Sequence, residues 1–140
     1  MRFMAKSELF TRRWGRWLAR AGAFPVRRGV WDQDAFDTAA GLLADGKVLV
    51  MFWEGGLSPA DGYRAPKPGI GHIAQLAGAT VLPCHLEGTR KLRKRPWSWP
   101  KIVVTYGPPL HIEHDPEPTR EGNAAVARRI ADAVIDLNVS

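Results

Sequence analysis

The chain has 140 residues, 45% of them hydrophobic and 24% charged, and a formal net charge of +6. This length predicts one domain spanning residues 1–140, which buries about two-thirds of the surface of its unfolded chain, and the composition excludes a disordered or low-complexity protein. One cysteine excludes an internal disulfide framework, no apolar run reaches the roughly 18 residues of a membrane span, and the basic N-terminus lacks the apolar core of a signal peptide.

The first predicted elements are a short strand over residues 1–6 and a helix that Ser7 caps and Gly22 ends. The apolar residues of this helix recur at helical spacing and alternate with a basic face: Phe10, Trp14, Trp17, Leu18 and Ala21, against Arg12, Arg13, Arg16 and Arg20. The helix therefore either packs on the core with a wet basic side, or lies at a membrane interface with its tryptophans at head-group depth.

The later elements continue the alternation. Strands are predicted over residues 23–28, 48–53, 80–86 and 101–106, and helices from Asp32 or Asp34 to 45–46, over 70–76, and from about Thr119 onward. The uninterrupted apolar run Val48–Trp53 is typical of a strand buried on both faces. The order predicts an α/β domain whose mixed, mostly parallel sheet is flanked by helices.

A candidate binding site follows the strand over 48–53. Glu54 ends the apolar run and Gly55 and Gly56 come next, at the place where open α/β sheets bind ligands. A carboxylate there needs a partner, and we expect an arginine of the pair Arg27–Arg28, which leaves a neighbouring strand. The alternative to a role in substrate positioning is a purely structural ion pair.

Anion binding is the chemistry predicted for the surrounding groups. Arg27, Arg28 and Lys67, together with backbone N–H groups at Gly55 and Gly56, are suited to a phosphate. Neither a P-loop nor a G-x-G-x-x-G fingerprint is present. A second basic cluster, residues 90–95, and the basic N-terminal stretch either form solvated faces or bind phosphorylated metabolites, anionic lipid or nucleic acid.

The histidines carry weaker signals. His72 is predicted to be a core or helix-surface residue rather than a base, and Cys84 and His85 point to opposite faces of a strand and cannot pair. His111 and His114 lie in a proline-rich stretch with nearby acids, where a polar loop is the favoured interpretation over a metal site. No metal or cofactor is predicted.

Four ordered motifs give the chain a family resemblance. They are residues 2–10, Gly22-Ala-Phe-Pro-Val-Arg-Arg28, Phe52-Trp-Glu-Gly-Gly-Leu-Ser58 and Val81-Leu-Pro-Cys84, with Lys67-Pro-Gly69 after the third. Together they resemble the glycerolipid acyltransferases typified by 1-acyl-glycerol-3-phosphate (lysophosphatidate) acyltransferase. The resemblance implies acyl transfer from acyl-CoA or acyl carrier protein, as co-substrate, to a lysophospholipid hydroxyl in phospholipid biosynthesis. It also implies acceptor-binding roles for Arg28, Glu54, Gly55, Gly56 and Lys67.

Two departures from the family pattern qualify these expectations. The family's catalytic H-x-x-x-x-D motif is absent, because the residues five positions after the four histidines are Ala77, Arg90, Pro116 and Thr119. We therefore expect no catalytic residue here, and we expect the chain to correspond to the C-terminal portion of the family domain and to be inactive or nearly so as it stands.

The second departure is in the third motif, where Gly56 and Leu57 replace the family's Thr and Arg and Trp53 replaces its Pro, so Leu57 offers no charge to a phosphate. The expected location is peripheral, on the cytoplasmic face of a membrane, with a lysophospholipid and an acyl donor as partners. The alternative is a non-catalytic module that binds anionic lipid or nucleic acid through its basic, Trp-rich surface. The family resemblance, in contrast, implies no nucleic-acid partner. The oligomeric state stays open.

Overall fold

A computed structural model describes residues 1–6, 15–20, 22–27, 31–56, 58–59, 62–89 and 101–138. Its strands are β1 (Arg2–Lys6), β2 (Ala23–Val26), β3 (Leu49–Val50), β4 (Thr80–Val81), β5 (Cys84–Glu87), β6 (Val103–Tyr106) and β7 (Leu110–His111). Its helices are α1 (Gly15–Arg20), α2 (Gln33–Ala44), α3 (Pro68–Ala77) and α4 (Arg120–Asp136). The element order confirms the predicted mixed α/β class.

The parallel sheet has the strand order β2-β1-β3. Strand β1 pairs with β2 from Phe3–Ala23 to Lys6–Val26, and with β3 at only two positions, Arg2–Leu49 and Phe3–Val50. Since parallel strands end at the same edge, the segments that follow β1, β2 and β3 emerge close together.

The run Val48–Trp53 is less buried than predicted. Only Leu49 and Val50 are in the strand, whereas Val48 is 60% and Phe52 68% exposed. Among the described strands β3 has β1 as its neighbour on one side only, and the chain turns at once, with the Gly55 N–H donating to the Phe52 carbonyl at 2.9 Å. The expectation of a strand buried on both faces was therefore wrong.

The predicted strand over residues 80–86 is divided in two. Strand β4 pairs antiparallel with β7, and β5 pairs antiparallel with β6. Pro83, which has no N–H to donate to a ladder, lies between them. Strand β7 falls inside a stretch predicted to be a loop.

The described residues form three small apolar core clusters. The first joins α2, α3 and the parallel sheet through Phe36, Ala39 and Ile73. The second and third bury faces of α4 against the segment after β3, and against α3 and β7. Helix α4 begins as predicted at Thr119, whose side chain accepts a hydrogen bond from the Gly122 N–H. Helix α3 ends at Gly78, whose φ of 54° is the left-handed conformation expected there.

Helix α1 is described over Gly15–Arg20, part of the predicted helix. Trp17, on the predicted apolar face, is 70% exposed, and Arg16 and Arg20 are exposed as well. Trp17 is therefore not packed on the core as the first of the two interpretations required, and the interfacial alternative stays a prediction. Of the other residues predicted for that face, Phe10, Trp14 and Ala21 lie outside the described residues.

Candidate functional site

A pocket of about 360 Å³ opens at the carboxyl edge of the parallel sheet, beside the first turns of α2 and α3. Most of its lining is apolar, and two cations and one carboxylate contribute to it. The lining residues are Met4, Val26, Arg27, Trp31, Asp32, Phe36, Met51, Phe52, Trp53, Gly55, Lys67, Pro68, Gly69 and Ile70. Arg27, Gly55 and Lys67, which the sequence predicted as parts of one site, therefore share a pocket.

A second concavity, an open groove of about 490 Å³, runs along α4 between Leu110 and Asp136. It contains none of the predicted site residues. The pocket at the sheet edge is therefore the candidate site.

Glu54 is 7% exposed, and two groups among the described residues donate hydrogen bonds to its carboxylate. The hydroxyl of Ser58 donates to Oε1, and the backbone N–H of Arg64 donates to Oε2 at 2.8 Å. The buried carboxylate has partners, as predicted. Of the two arginines expected to pair with it, Arg27 is engaged by Asp32 instead, and Arg28 lies outside the described residues.

Arg27 is engaged by Asp32, the residue that precedes α2. Asp32 Oδ2 accepts the Arg27 backbone N–H at 2.8 Å, and the guanidinium lies 3.4 Å from both carboxylate oxygens. The backbone and side-chain hydrogen bonds from Arg27 lower the pKa of the Asp32 carboxyl, and the side-chain bond to Asp32 raises the pKa of the guanidinium. The Arg27 side chain is still 65% exposed, so part of its donor fork faces the pocket and solvent.

Lys67 lies at the start of α3, and its backbone N–H donates to the Trp53 carbonyl at 3.0 Å. Its methylene stem passes over Gly55, where an added Cβ would come within 3.0 Å of Lys67 Cγ. Gly55 has a φ of 64°, so glycine meets both the conformation and the close approach. The N–H of Gly55 is engaged in the turn with Phe52, contrary to the expectation that it is free. At Gly56 nothing lies within 4 Å of an added Cβ.

The aromatic wall of the pocket was not predicted from sequence. Trp31 packs edge-on against Phe36 and His72, with ring centroids 4.7 Å and 4.8 Å apart. The pairing of Asp32 with Arg27 could have been predicted from sequence, because an acidic residue at a helix start only a few residues after two arginines has a cation within reach. For Trp31 there was no such signal, since it lies in an irregular segment outside any hydrophobic periodicity.

No histidine in the described part of the chain lines the pocket itself, although His72 packs behind two of its lining residues, Trp31 and Phe36. His72 is buried, with Nδ1 3.4 Å from Asn123 Nδ2 and Nε2 without a partner, which agrees with the core role predicted for it. His85 and Cys84 are adjacent on β5, and His111 Nδ1 lies 3.0 Å from the Thr80 hydroxyl. Within the described ranges no three His, Cys, Asp or Glu side chains come together in a group suited to a metal ion.

Comparison with known proteins shows which family the chain belongs to. The acyltransferase family model matches residues 1–87, more than half of the chain and the whole of the pocket lining. This chain belongs to the acyltransferase family. It is also 32% identical over 130 residues to 1-acyl-sn-glycerol-3-phosphate acyltransferase of Streptococcus pneumoniae (strain ATCC BAA-255 / R6), a match that covers 91% of this chain and 47% of that protein.

The fold of this acyltransferase-family chain also matches a solved structure. The crystal structure of the 1-acyl-sn-glycerophosphate (LPA) acyltransferase PlsC from Thermotoga maritima superimposes with a TM-score of 0.67 at 24% identity, covering 99% of this chain and 57% of PlsC. The chain thus spans about half the length of the relatives it matches. None of the described helices is both long and apolar enough to cross a bilayer.

Proposed function

We propose that the pocket binds the acyl acceptor of a glycerolipid acyltransferase, a lysophospholipid such as 1-acyl-glycerol-3-phosphate, in phospholipid biosynthesis. The observation that carries the proposal is the placement of two cations, Arg27 and Lys67, on an apolar pocket at the carboxyl edge of the parallel sheet. The names of the relatives support the same substrate class.

The pocket has the two kinds of surface that an anionic amphiphile needs. Apolar atoms of Met4, Val26 and Met51 cover the first methylenes of the acyl chain, because removing apolar surface from water is favourable by about 25 cal/mol per Å². The Arg27 fork and the Lys67 ammonium receive the phosphate through charge-assisted hydrogen bonds. Arg28 is proposed as a third cation and the Gly56 N–H as a further donor.

Acyl transfer itself requires a base that removes the proton of the acceptor hydroxyl, and a positioned base typically raises the reaction rate about 10²–10⁴-fold. None of the four histidines has an aspartate five residues later, and His72 is buried behind Trp31 and Phe36. We propose that these 140 residues bind the acceptor without completing the transfer from acyl-CoA or acyl carrier protein. Rapid acyl transfer from labelled acyl-CoA by this chain alone would contradict that.

Acceptor binding is tested by titration with a short-chain lysophosphatidate and with the matching monoacylglycerol, which lacks the phosphate. Lys67→Ala and Arg27→Ala are each expected to weaken lysophosphatidate binding about tenfold, since a hydrogen bond to a charged group contributes about 1.5–3 kcal/mol. Lys47→Ala is the matched control, because Lys47 is exposed ahead of β3 and lines no part of the pocket. Equal affinity for the two lipids would refute the proposal.

A second candidate function is a non-catalytic module on anionic lipid. The specific observation is Trp17, 70% exposed on α1 between the exposed Arg16 and Arg20, an arrangement suited to an interface with anionic head groups. A peripheral position on the cytoplasmic face of a membrane is compatible with both candidates.

Vesicle flotation separates the alternatives. Trp17→Ala is expected to reduce flotation with anionic vesicles, whereas Ile102→Ala, which truncates an exposed apolar side chain before β6, is expected not to. Binding that a single-stranded or duplex DNA competitor abolishes, without any flotation, would favour a nucleic-acid module instead.

A further inference from the structure

The buried carboxylate of Glu54 joins three separate positions of the chain. Its own residue follows β3, Ser58 lies four residues later, and Arg64 lies ten residues later. One side chain therefore closes the loop between β3 and α3 by accepting one hydroxyl and one backbone N–H.

The same loop ends at Lys67, whose backbone N–H donates to the carbonyl of Trp53, the residue before Glu54. Thus Arg64 and Lys67 are both held against the segment that follows β3, one by the Glu54 side chain and the other by the Trp53 carbonyl. The stem of Lys67 then passes over Gly55 toward the pocket.

We propose that Glu54 is a positioning residue: it closes the loop over residues 54–64 and so fixes Lys67 at the pocket, without contacting the acceptor itself. Ser58 acts through Glu54 in the same way. The ligand-binding consequence rests on the proposed function, whereas the closure of the loop does not.

If Glu54 acts only by closing the loop, its negative charge should not be needed. The amide of Glu54→Gln retains one acceptor oxygen for the Arg64 N–H, and its NH₂ donates to the Ser58 hydroxyl, which accepts as well as donates. Closure therefore survives the loss of the negative charge. A carboxylate that bound the substrate or an arginine through its charge would fail as glutamine.

Backbone amide hydrogen exchange tests the closure directly, without a ligand. In Glu54→Ala, exchange at the amides of Arg64 and Lys67 is expected to rise about tenfold or more, because the bond to a charged acceptor is lost. Ser58→Ala should raise both rates less, and Glu54→Gln and Ser58→Thr should keep both near the native values. Glu113→Ala, which removes an exposed carboxylate that lines neither pocket, is the matched control.

The outcomes decide between the roles. If Glu54→Ala accelerates amide exchange at Arg64 and leaves it unchanged at Lys67, Glu54 does not fix Lys67. If Glu54→Gln accelerates exchange as much as Glu54→Ala does, the negative charge of Glu54 is needed, and the claim that its hydrogen bonds alone close the loop is wrong. Titration of each variant with the short-chain lysophosphatidate adds the functional arm, in which Glu54→Gln should bind within about twofold of the native chain and Glu54→Ala about tenfold more weakly. Absence of lipid binding by the native chain would refute the proposed function, and the exchange data would still support or overturn the positioning role.

Discussion

Glu54 and Asp32 are two buried carboxylates, and Asp32 holds the arginine, Arg27, that was one of the two expected partners of Glu54. The need of Glu54 for a partner could be predicted, because the apolar run Val48–Trp53 ends abruptly at this carboxylate. The partner itself could not, because Asp32 lies only five residues from Arg27 and already holds both its backbone N–H and its guanidinium. The remaining need of Glu54 is met by a hydroxyl and a backbone N–H, groups that leave no signature in a sequence.

His72 gives a residue-scale prediction about pH. Burial lowers the pKa of its imidazole below the ordinary 6.5, so the unfolded chain takes up this proton at a higher pH than the folded one. The free energy of unfolding is therefore expected to fall as the pH drops below about 6.5 and to be fully restored above it. In His72→Phe this part of the slope should vanish, whatever the effect on absolute stability.

Denaturant unfolding between pH 5 and pH 8 measures that slope. His114→Ala is the control, because His114 is exposed and the substitution keeps its backbone and Cβ. A slope that persists unchanged in His72→Phe would show that another group carries the pH dependence.

At the scale of elements, α3 and α4 cross closely at Gly71. An added Cβ there would lie 2.1 Å from the carbonyl oxygen of Asn123 and 3.0 Å from the Ala127 nitrogen. Gln75 seals the same crossing by donating to Asn123 Oδ1 at 2.8 Å. Both obstacles to a Cβ are backbone atoms of a helix, so neither can move aside alone.

Gly71→Ala is therefore expected to lower the free energy of unfolding by about 1–3 kcal/mol, through separation of the two helices. Gly41→Ala is its matched control: Gly41 lies in α2 with nothing within 4 Å of an added Cβ, so the better helix propensity of alanine should stabilise the chain by up to about 1 kcal/mol. Urea unfolding gives both values, and equal effects of the two substitutions would contradict the close crossing.

The elements predicted best were those whose signals are local. The capping of α4 by Thr119 and the left-handed end of α3 at Gly78 depend on one or two residues each. Pairing is a long-range property, and there the predictions failed: the run at β3 suggested burial that its single described neighbour does not provide, and Pro83 divided one predicted strand between two partners. The pocket followed from topology, since three parallel strands bring their ends together, but its wall of Trp31 did not.

At the scale of the whole molecule, the chain carries 20 Lys and Arg residues and 14 Asp and Glu residues, a formal net charge of +6. A field of this sign draws anionic lipid toward the protein before any specific contact forms. It acts over a distance that salt sets, about 10 Å at 0.1 M and about 3 Å at 1 M ionic strength.

Binding to anionic vesicles is therefore expected to weaken several-fold between about 0.05 M and 0.5 M salt. Vesicles of purely zwitterionic lipid supply the comparison, and their weaker binding should change little over the same range. Salt-independent binding to anionic vesicles, measured by flotation, would show that apolar contacts dominate.

The hydrogen bonds of Glu54 also divide the following loop into a part whose length is constrained and a part whose length is free. Between Arg64 and Lys67 only two residues separate two backbone N–H groups that are both held by the segment after β3. Between Ser58 and Arg64 the chain leaves the anchor and returns to it, and lengthening such a loop is cheap, about 0.6 kcal/mol for each doubling. Insertions, an epitope tag or a fluorescent peptide among them, should therefore be accepted after Ser58 and rejected after Arg64, and natural length variation in homologues should follow the same boundary.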